Sequence, residues 1–267
     1  MTYAKRRGIG RRTASYPSMS SCPSSLRPEL AGFTYHDVDI VSCHPSLEVG
    51  VCALMGKSDR IPRLIEYVND RDAMLDRIAD HFKVDKSACK YVVLRILNGG
   101  SVHRWCTDLG ISIEDEDQPD LQDLSREALI IQQAFFEYVD AREPGTSGRL
   151  KQMARSFIEQ KNANLTRMGQ PPKRVSEHAI LRTAFSHCIF EMEDTVLTII
   201  DRYFRKNRWT VGSLIYDGLH IEHRPGDVYD GRKWNLLDQA MRGAEHAIER
   251  KTGFKIKLVE KRLYARP

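Results

Sequence analysis

The alternation of apolar and polar positions predicts four short strands near the two ends of the chain. Residues 33–42, FTYHDVDIVS, alternate β-branched or aromatic residues with polar ones, which is typical of a strand. Residues 210–223, TVGSLIYDGLHIEH, form two apolar runs around Asp217-Gly218, a dipeptide that favours a tight hairpin turn. The alternating residues 254–263 predict the last strand. We expect these strands to form one small antiparallel sheet.

Apolar residues at helical spacing predict helices between the strands. Residues 61–82 form one amphipathic pattern, and residues 176–206 form a longer one with Ser176 as its N-cap. The pattern over residues 234–251 stops before Gly253, which suits a helix C-terminus. The remaining predicted helices cover residues 46–55, 86–99, 124–141 and 150–161.

The order of these elements predicts an α+β fold, in which helices cover one side of a small antiparallel sheet. Residues 31–58 and 176–267 supply the part that contains the sheet. Residues 59–175 form a helical insertion between its two halves. A chain of 267 residues suits one large or two small domains and can bury a sizeable core.

Composition adds limits on the environment of the protein. With 41% hydrophobic and 29% charged residues, the chain has the composition of a soluble globular protein. No apolar run approaches the roughly 20 residues of a membrane span, so we expect no membrane partner. The six cysteines form no CxxC pair, which argues against a structural zinc site and a disulfide framework and favours a reducing, intracellular compartment.

Positive charge is concentrated in the first 30 residues, which also contain many Ser and Pro and predict an extended coil. Six Lys or Arg residues lie there against one acid, Glu29. A basic arm of this kind suits a polyanion such as nucleic acid, although a solubilising tail would have the same composition. The basic residues of this arm are Lys5, Arg6, Arg7, Arg11, Arg12 and Arg27.

Two aspartates are the first candidates for chemistry. Asp39 lies at the end of the first predicted strand and Asp217 at the tip of the hairpin. Two carboxylates on adjacent strands could hold Mg²⁺, which prefers oxygen ligands, in a two-metal phosphoryl-transfer site. Asp37 could replace Asp39, because residues two apart on a strand share a face. An aspartate at a turn often does no more than form the turn.

The predicted helix over residues 86–99 carries a second candidate site. Lys86, Lys90, Leu94 and Asn98 recur every four residues and therefore lie along one face. Such a face could hold a nucleotide, with the lysines on a triphosphate and Leu94 under a base or sugar. A surface helix with solvated lysines and a buried leucine has the same pattern.

Taken in order, these stretches resemble a family A DNA polymerase of the bacterial polymerase I class. The family's opening T-G-R-L-S-S and later I-R are similar to IGRRTAS at residues 9–15 and Leu26-Arg27. Its first palm motif, D-Y-S-Q-I-E-L-R, is similar to DIVSCHPSL, which begins at Asp39. The resemblance runs from about Gly10 to the end of the chain.

Three later motifs extend the resemblance. The spacing of the fingers motif, R-x3-K-x3-F-x3-Y-G, is kept by Lys86, Lys90, Leu94, Asn98 and Gly99. The R-x3-N-x3-Q motif of the next family helix has Arg182, Ser186 and Phe190 here. The last motif, H-D-E, has Tyr216, Asp217 and Gly218.

The resemblance implies a polymerase palm with a fingers insertion and a template-directed nucleotidyltransferase activity that extends a primer. It implies that Asp39 and Asp217 bind two Mg²⁺ ions, or Mn²⁺, and that Lys86 and Lys90 hold the nucleoside triphosphate. It places Arg11, Arg12 and Arg27 on the primer–template and Arg182 on a helix that faces the duplex.

The sequence departs from the family pattern at the places that matter for activity. Gly218 replaces the last glutamate, and Leu94 and Asn98 replace an aromatic residue and a tyrosine. His44 stands where the family has the glutamate that excludes a 2′-hydroxyl, so the choice between deoxy- and ribonucleotides stays open. DIVSCHPSL also echoes the palm motif of family B polymerases, but YDG at residues 216–218 lacks the second aspartate of that family's D-T-D.

If the chain is complete, it lacks the thumb and exonuclease domains that precede the first motif in the family. Poor processivity would follow unless a partner or the basic arm replaces the thumb. Two further hypotheses remain: a catalytically degenerate palm that binds nucleic acid or scaffolds a replisome, and an unrelated α+β domain.

Overall fold

The computed structural model describes residues 3–5, 10–14, 18–23, 25–112, 118–227 and 234–261. Arg6 and Arg7 of the predicted basic arm lie outside these ranges, as does the end of the strand predicted at 254–263.

The chain divides into two compact units. Unit 1 contains Met1–Leu47 and Ile189–Pro267, and unit 2 contains Glu48–Cys188. Unit 1 is therefore built from both ends of the chain, with unit 2 inserted between them in sequence. The sequence placed the insertion at residues 59–175.

Two antiparallel sheets lie in unit 1. Strands β1 (Tyr3–Lys5) and β2 (Arg12–Ala14) pair with each other. The larger sheet has four strands in the order β4-β5-β3-β6, and every neighbouring pair is antiparallel. Its strands are β3 (Tyr35–Ile40), β4 (Val211–Ile215), β5 (Gly218–Glu222) and β6 (Leu258–Lys261). The four predicted strands and their antiparallel pairing are confirmed.

Helices make up most of the remainder. In unit 1 these are α1 (Arg27–Ala31) and α10 (Asn235–Thr252), and two longer helices, α2 (Cys43–Leu54) and α9 (Glu177–Lys206), have residues in both units. Short 3₁₀ turns cover Met19–Ser21 and Ser58–Arg60. The helices of unit 2 are α3 (Pro62–Asn69), α4 (Arg71–Phe82), α5 (Lys86–Leu97), α6 (Val102–Leu109), α7 (Pro119–Arg142) and α8 (Thr146–Arg167).

Several helix ends follow from local chemistry that the sequence shows. The Ser176 hydroxyl accepts a hydrogen bond from the Ala179 N–H at 3.2 Å, which caps α9 as predicted. Gly253 takes φ +79° and ends α10, a conformation that glycine adopts without a side-chain clash. The pattern predicted as one helix over 61–82 is two helices, because Asp70 accepts a hydrogen bond from the Ala73 N–H and starts a new helix.

The prediction of an extended coil up to residue 30 is wrong in the part that the structure describes. That segment contains β1, β2, a 3₁₀ turn and the start of α1. Its short strands gave little alternation to detect, and their hydrogen bonds join residues about ten positions apart. Helix α6 was also missed by the sequence patterns, because it spans only eight residues.

Each unit has its own buried apolar core. In unit 1, Val38, Leu219 and Ile221 of the sheet are fully buried, as is Ile248 on α10. In unit 2, Phe135 and Phe185 are fully buried and pack edge to face, with ring centroids 5.0 Å apart. The six cysteines form no disulfide within the described ranges. None of the described helices is long and apolar enough to cross a membrane.

Candidate active site

Antiparallel pairing in unit 1 brings Asp39 and Asp217 to neighbouring positions. Asp39 on β3 lies opposite Gly218 on β5, and Asp217 immediately precedes Gly218. The N–H of Ile40 donates a hydrogen bond to the Asp217 carbonyl at 3.3 Å. The hairpin turn itself consists of Tyr216 and Asp217, and Tyr216 adopts a left-handed φ of +53°.

The charges of these two aspartates interact. Burial raises the pKa of Asp217 above its usual value, and the negative charge of Asp39 raises it further. Like charges that lie close together disfavour each other's ionised form, and a cation between them would relieve that repulsion. The predicted pair of carboxylates is thus brought together at one end of the sheet.

Asp37 adds a third carboxylate to the same face of β3. Burial raises the pKa of Asp37 to about 6, and the charge of Asp39 contributes in the same direction. Across the strand pair, the Nε2 atom of His220 lies 4.0 Å from the Asp37 carboxylate. His220 is buried, and this burial together with the charge of Arg27 lowers its pKa to about 4.

Lys261 on β6 is a residue of this site that the sequence analysis did not identify. Its ammonium group forms an ion pair with the Asp39 carboxylate. Residue 261 lies opposite Asp37 in the strand register, so the side chain reaches diagonally to Asp39. Alternation along β6 predicts the face of the sheet on which Lys261 lies. No local sequence signal predicts which acid on another strand it pairs with.

The backbone at Gly218 approaches Asp39 very closely. A Cβ atom at position 218 would lie 2.6 Å from the Val38 carbonyl oxygen and 2.8 Å from a carboxylate oxygen of Asp39. Both distances are shorter than real Cβ contacts, so position 218 has no room for a side chain in this conformation. Glycine at this position is therefore a packing requirement here.

A second cluster in unit 1 joins Arg11, His44 and Glu193. The Glu193 side chain is almost fully buried, and its carboxylate accepts hydrogen bonds from Arg11 Nη2 at 2.6 Å and His44 Nε2 at 2.8 Å. Burial alone would raise the pKa of Glu193, but these two partners lower it below its usual value. Glu193 fixes the His44 imidazole, and the ring of Phe190 lies beside it with centroids 5.4 Å apart. Glu193 was not among the site residues predicted from the sequence.

Two further residues of the basic arm also have acidic partners on α9. Arg12 Nε donates to Asp194 at 2.6 Å, and Lys5 forms an ion pair with Glu191. Arg27 instead donates to the Cys22 carbonyl at 3.1 Å, and its guanidinium lies 5.8 Å from the centre of the Tyr216 ring. Much of the arm's positive charge is therefore neutralised within the unit.

Four of the five predicted nucleotide-binding residues lie in unit 2, on and beside α5, and the fifth is His44 of unit 1. Lys86 begins the helix and forms an ion pair with Asp76 at 2.6 Å, whereas Lys90 is exposed one turn later. Leu94 is half-buried, and the side-chain amide of Asn98 donates to the Leu94 carbonyl at 2.8 Å. Arg182 on α9 then joins this end of the helix, because its Nε donates to the Asn98 carbonyl at 3.1 Å.

Within the described ranges, no three His, Cys, Asp or Glu side chains are arranged to hold a metal ion together. The donor set at the sheet is thus the pair Asp39 and Asp217. Mg²⁺ often uses one or two protein carboxylates and completes its shell with water and substrate phosphates, so a pair of this chemistry suits it.

The fold resembles that of a DNA polymerase domain, which confirms the predicted resemblance at the level of the fold. The structure is similar to the POL domain of Pol1 from M. smegmatis, solved in complex with DNA primer-template and dNTP, with a TM-score of 0.52 and 13% sequence identity. The alignment covers 94% of this chain and 45% of that one. No protein-family model matches the sequence, and no curated protein does.

Proposed function

We propose that this chain is a template-directed nucleotidyltransferase that extends a nucleic-acid primer, as a DNA polymerase does. The observation that carries the proposal is the juxtaposition of Asp39 and Asp217 on paired strands, with charges that interact. The polymerase-like fold supports it, because two carboxylates on a small antiparallel sheet are the metal ligands that phosphoryl transfer needs.

Asp39 and Asp217 would hold the divalent ions, Mg²⁺ or Mn²⁺. When bound, such ions neutralise charge that develops on the reacting phosphate oxygens. The mutual repulsion of the two carboxylates supports a cation at this position. Lys261 already supplies one positive charge to Asp39 and would have to release that carboxylate before an ion bound it.

The incoming nucleoside triphosphate would be held by unit 2. Lys90 is exposed on α5 and can approach phosphate oxygens, while Lys86 would first have to leave Asp76. Leu94 and Asn98 would lie beside the base and sugar. The family resemblance assigns the sugar's 2′ position to His44, whose imidazole is held by Glu193.

The primer–template would be held by basic residues. Arg27 and Arg182 donate hydrogen bonds to neutral backbone carbonyls, so their positive charge remains available to phosphates. Arg11 and Arg12 are paired with Glu193 and Asp194, so their contribution to affinity would be smaller. A processivity partner would supplement these contacts.

A primer-extension assay tests the proposal. The chain would be incubated with a labelled primer on a template with a 5′ overhang, in Mg²⁺ or Mn²⁺, with all four deoxy- or ribonucleotides. Extension is expected from the parent and is expected to fall at least a thousandfold in Asp39→Asn and Asp217→Asn. Asp201→Asn, which removes an α9 carboxylate paired with Arg205, is the matched control and should extend normally.

One specific observation favours a second candidate, a palm that binds nucleic acid without catalysis. Lys261 fills the cation position at Asp39, and Gly218 has no space for the glutamate of the polymerase motif. A parent protein that binds primer–template but extends it in neither metal, at any nucleotide concentration, would establish this candidate and overturn the first.

A further inference from the structure

A basic groove in unit 2 includes Asn98 and Arg182 from the residues described above, and its other lining residues have no role there. It is a cavity of about 390 Å³ between the C-terminal half of α8, the segment that follows it, and the N-terminal half of α9. Its cationic lining residues are Lys161, Lys173, Arg174 and Arg182. We call this cavity the α8–α9 groove.

We propose that the α8–α9 groove binds one strand of nucleic acid through its phosphates. This inference deepens the proposed function and rests on it for the class of ligand. Three features of the groove carry it: its charge, its fixed backbone and its partly apolar floor.

The charge of the groove is uncompensated. Four cationic side chains line it, and no carboxylate is among the lining residues. None of the four has an ion-pair partner in the part of the chain that the structure describes, and all four are exposed. The basic arm of unit 1 is the opposite case, since Lys5, Arg11 and Arg12 are each paired with an acid. Residues 160–176 contain no Asp or Glu at all.

The backbone that carries two of these cations is held in place. The Asn162 side chain donates to the Lys173 carbonyl at 2.7 Å and accepts from the Lys173 N–H at 2.9 Å. Pro171 and Pro172 precede it and restrict the segment further. Lys173 and Arg174 are therefore presented from a fixed segment, which lowers the entropy cost of binding a ligand.

The floor of the groove suits a base or sugar. Phe157 and Ile158 line it and are half-buried, so part of each apolar side chain faces the cavity. Phe157 contacts His187 edge to face, with ring centroids 5.7 Å apart, which orients the phenylalanine ring. Spaced cations around an aromatic residue are the combination that proteins use for single strands.

The size of the groove favours a single strand over a duplex. A depression of about 390 Å³ accepts a stretch of backbone with a base beside it. A duplex is much wider, since its major groove alone is about 12 Å across. A free nucleotide would fit as well, but cations from three separate segments suit a ligand with several phosphates in a row.

Fluorescence anisotropy with labelled oligo(dT) and oligo(U) strands tests the inference on the full chain. The double variant Lys173→Ala/Arg174→Ala should bind the strands at least tenfold more weakly. It should also lower the slope of log affinity against log salt by about 1.4, or about 0.7 for each lost phosphate contact. Arg167→Ala removes an exposed charge from α8 outside the groove and should stay within twofold of the parent.

Three outcomes overturn the inference: a parent that binds neither strand, a double variant within twofold of the parent, or an equal loss in Arg167→Ala. A loss for only one of the two oligonucleotides supports it and identifies DNA or RNA as the ligand. The Asp39→Asn variant distinguishes this inference from the proposed function, because it should abolish primer extension and leave the affinity for single strands unchanged. A parent that binds strands through the groove but never extends a primer would overturn the proposed activity alone.

Discussion

The ammonium group of Lys261 is ion-paired with the carboxylate of Asp39, on the neighbouring strand of the same sheet. A divalent ion that used Asp39 as a ligand would have to displace this group. The ion pair and the proposed ion would therefore compete for one carboxylate, and a stronger pair would weaken metal binding.

We expect Lys261→Met to strengthen Mn²⁺ binding by about tenfold, because the metal no longer displaces an ammonium group. Mn²⁺ titration followed by electron paramagnetic resonance measures this without any activity. Lys257→Met, at an exposed lysine in the segment leading into β6, is the matched control. Equal affinity in the parent and Lys261→Met would contradict the competition.

Gly218→Ala should destabilise unit 1 by about 1–3 kcal/mol, because the new Cβ would press on the Val38 carbonyl and on Asp39. Urea denaturation measures the change, and primer extension should fall with it. Gly218→Glu should not restore a polymerase-like site. Gly148→Ala, where a Cβ meets nothing within 4 Å, is the control and should be neutral or slightly stabilising. An active Gly218→Glu would show that the strands can separate at this point.

Arg11→Ala should cost about 2 kcal/mol of stability, because it leaves the buried carboxylate of Glu193 with one partner fewer. Glu193→Gln in the same chain should recover part of that loss, since it removes the charge that Arg11 balanced. A double-mutant cycle measures the coupling, which we expect to exceed 0.5 kcal/mol, as it does for groups in contact. Additive effects of the two substitutions would mean that the side chains act independently. If Arg11→Ala weakened duplex binding without lowering stability, Arg11 would instead contact nucleic acid directly.

His44→Ala should change the ratio of kcat/KM for deoxy- and ribonucleotides of the same base. Glu193 holds the imidazole, which could act on the sugar by steric exclusion of a 2′-hydroxyl or by hydrogen bonding to it. We expect deoxynucleotides to be favoured in the parent and less favoured in the variant. A ratio that changes by less than about twofold, or about 0.4 kcal/mol, would show that His44 does not act on the sugar.

Stability should fall in mild acid because of His220. Burial lowers the pKa of His220 to about 4 in the fold, against 6.5 for an ordinary histidine. Between these values the unfolded chain binds more protons, so the free energy of unfolding decreases as the pH falls from 6.5 toward 4. The contribution of His220 amounts to about 2 kcal/mol between pH 7.5 and pH 5, and Asp37, whose pKa burial raises to about 6, takes up a proton in the fold over this range and offsets part of it.

Urea denaturation at several pH values measures this dependence. His220→Gln should flatten the acid side of the curve, while His246→Gln, at an exposed histidine on α10, should leave it as in the parent. An unchanged slope in His220→Gln would assign the acid sensitivity to another group.

The sequence predicted those features that depend on neighbours in the chain. The hairpin around Asp217, the N-cap Ser176 and the end of α10 at Gly253 each carry a local signal, and each was located correctly. Alternation along β3 placed Asp39 on the sheet and Asp37 on the same face. The polymerase-like fold followed from the order of these pieces.

The sequence did not predict the ion pairs of the site, because they join residues that are far apart in the chain. Lys261 lies more than 200 positions from Asp39, and Glu193 lies 182 from Arg11. A signal for Glu193 existed: three acids at 191–194 interrupt an otherwise apolar stretch of α9. Acids on an apolar helix face need partners, but the sequence did not say that the basic arm supplied them.

The attachment of Lys5, Arg11 and Arg12 to α9 has a practical consequence for anyone who shortens the chain. Lys5, Arg11 and Arg12 cover the carboxylates of Glu191, Glu193 and Asp194. A truncated protein that lacks these three basic residues would expose a strip of acidic side chains, whose charge is neutralised by ion pairs in the intact molecule. It would repel nucleic acid for that reason alone, so weak binding by the truncated protein would not by itself show that the missing residues contact nucleic acid.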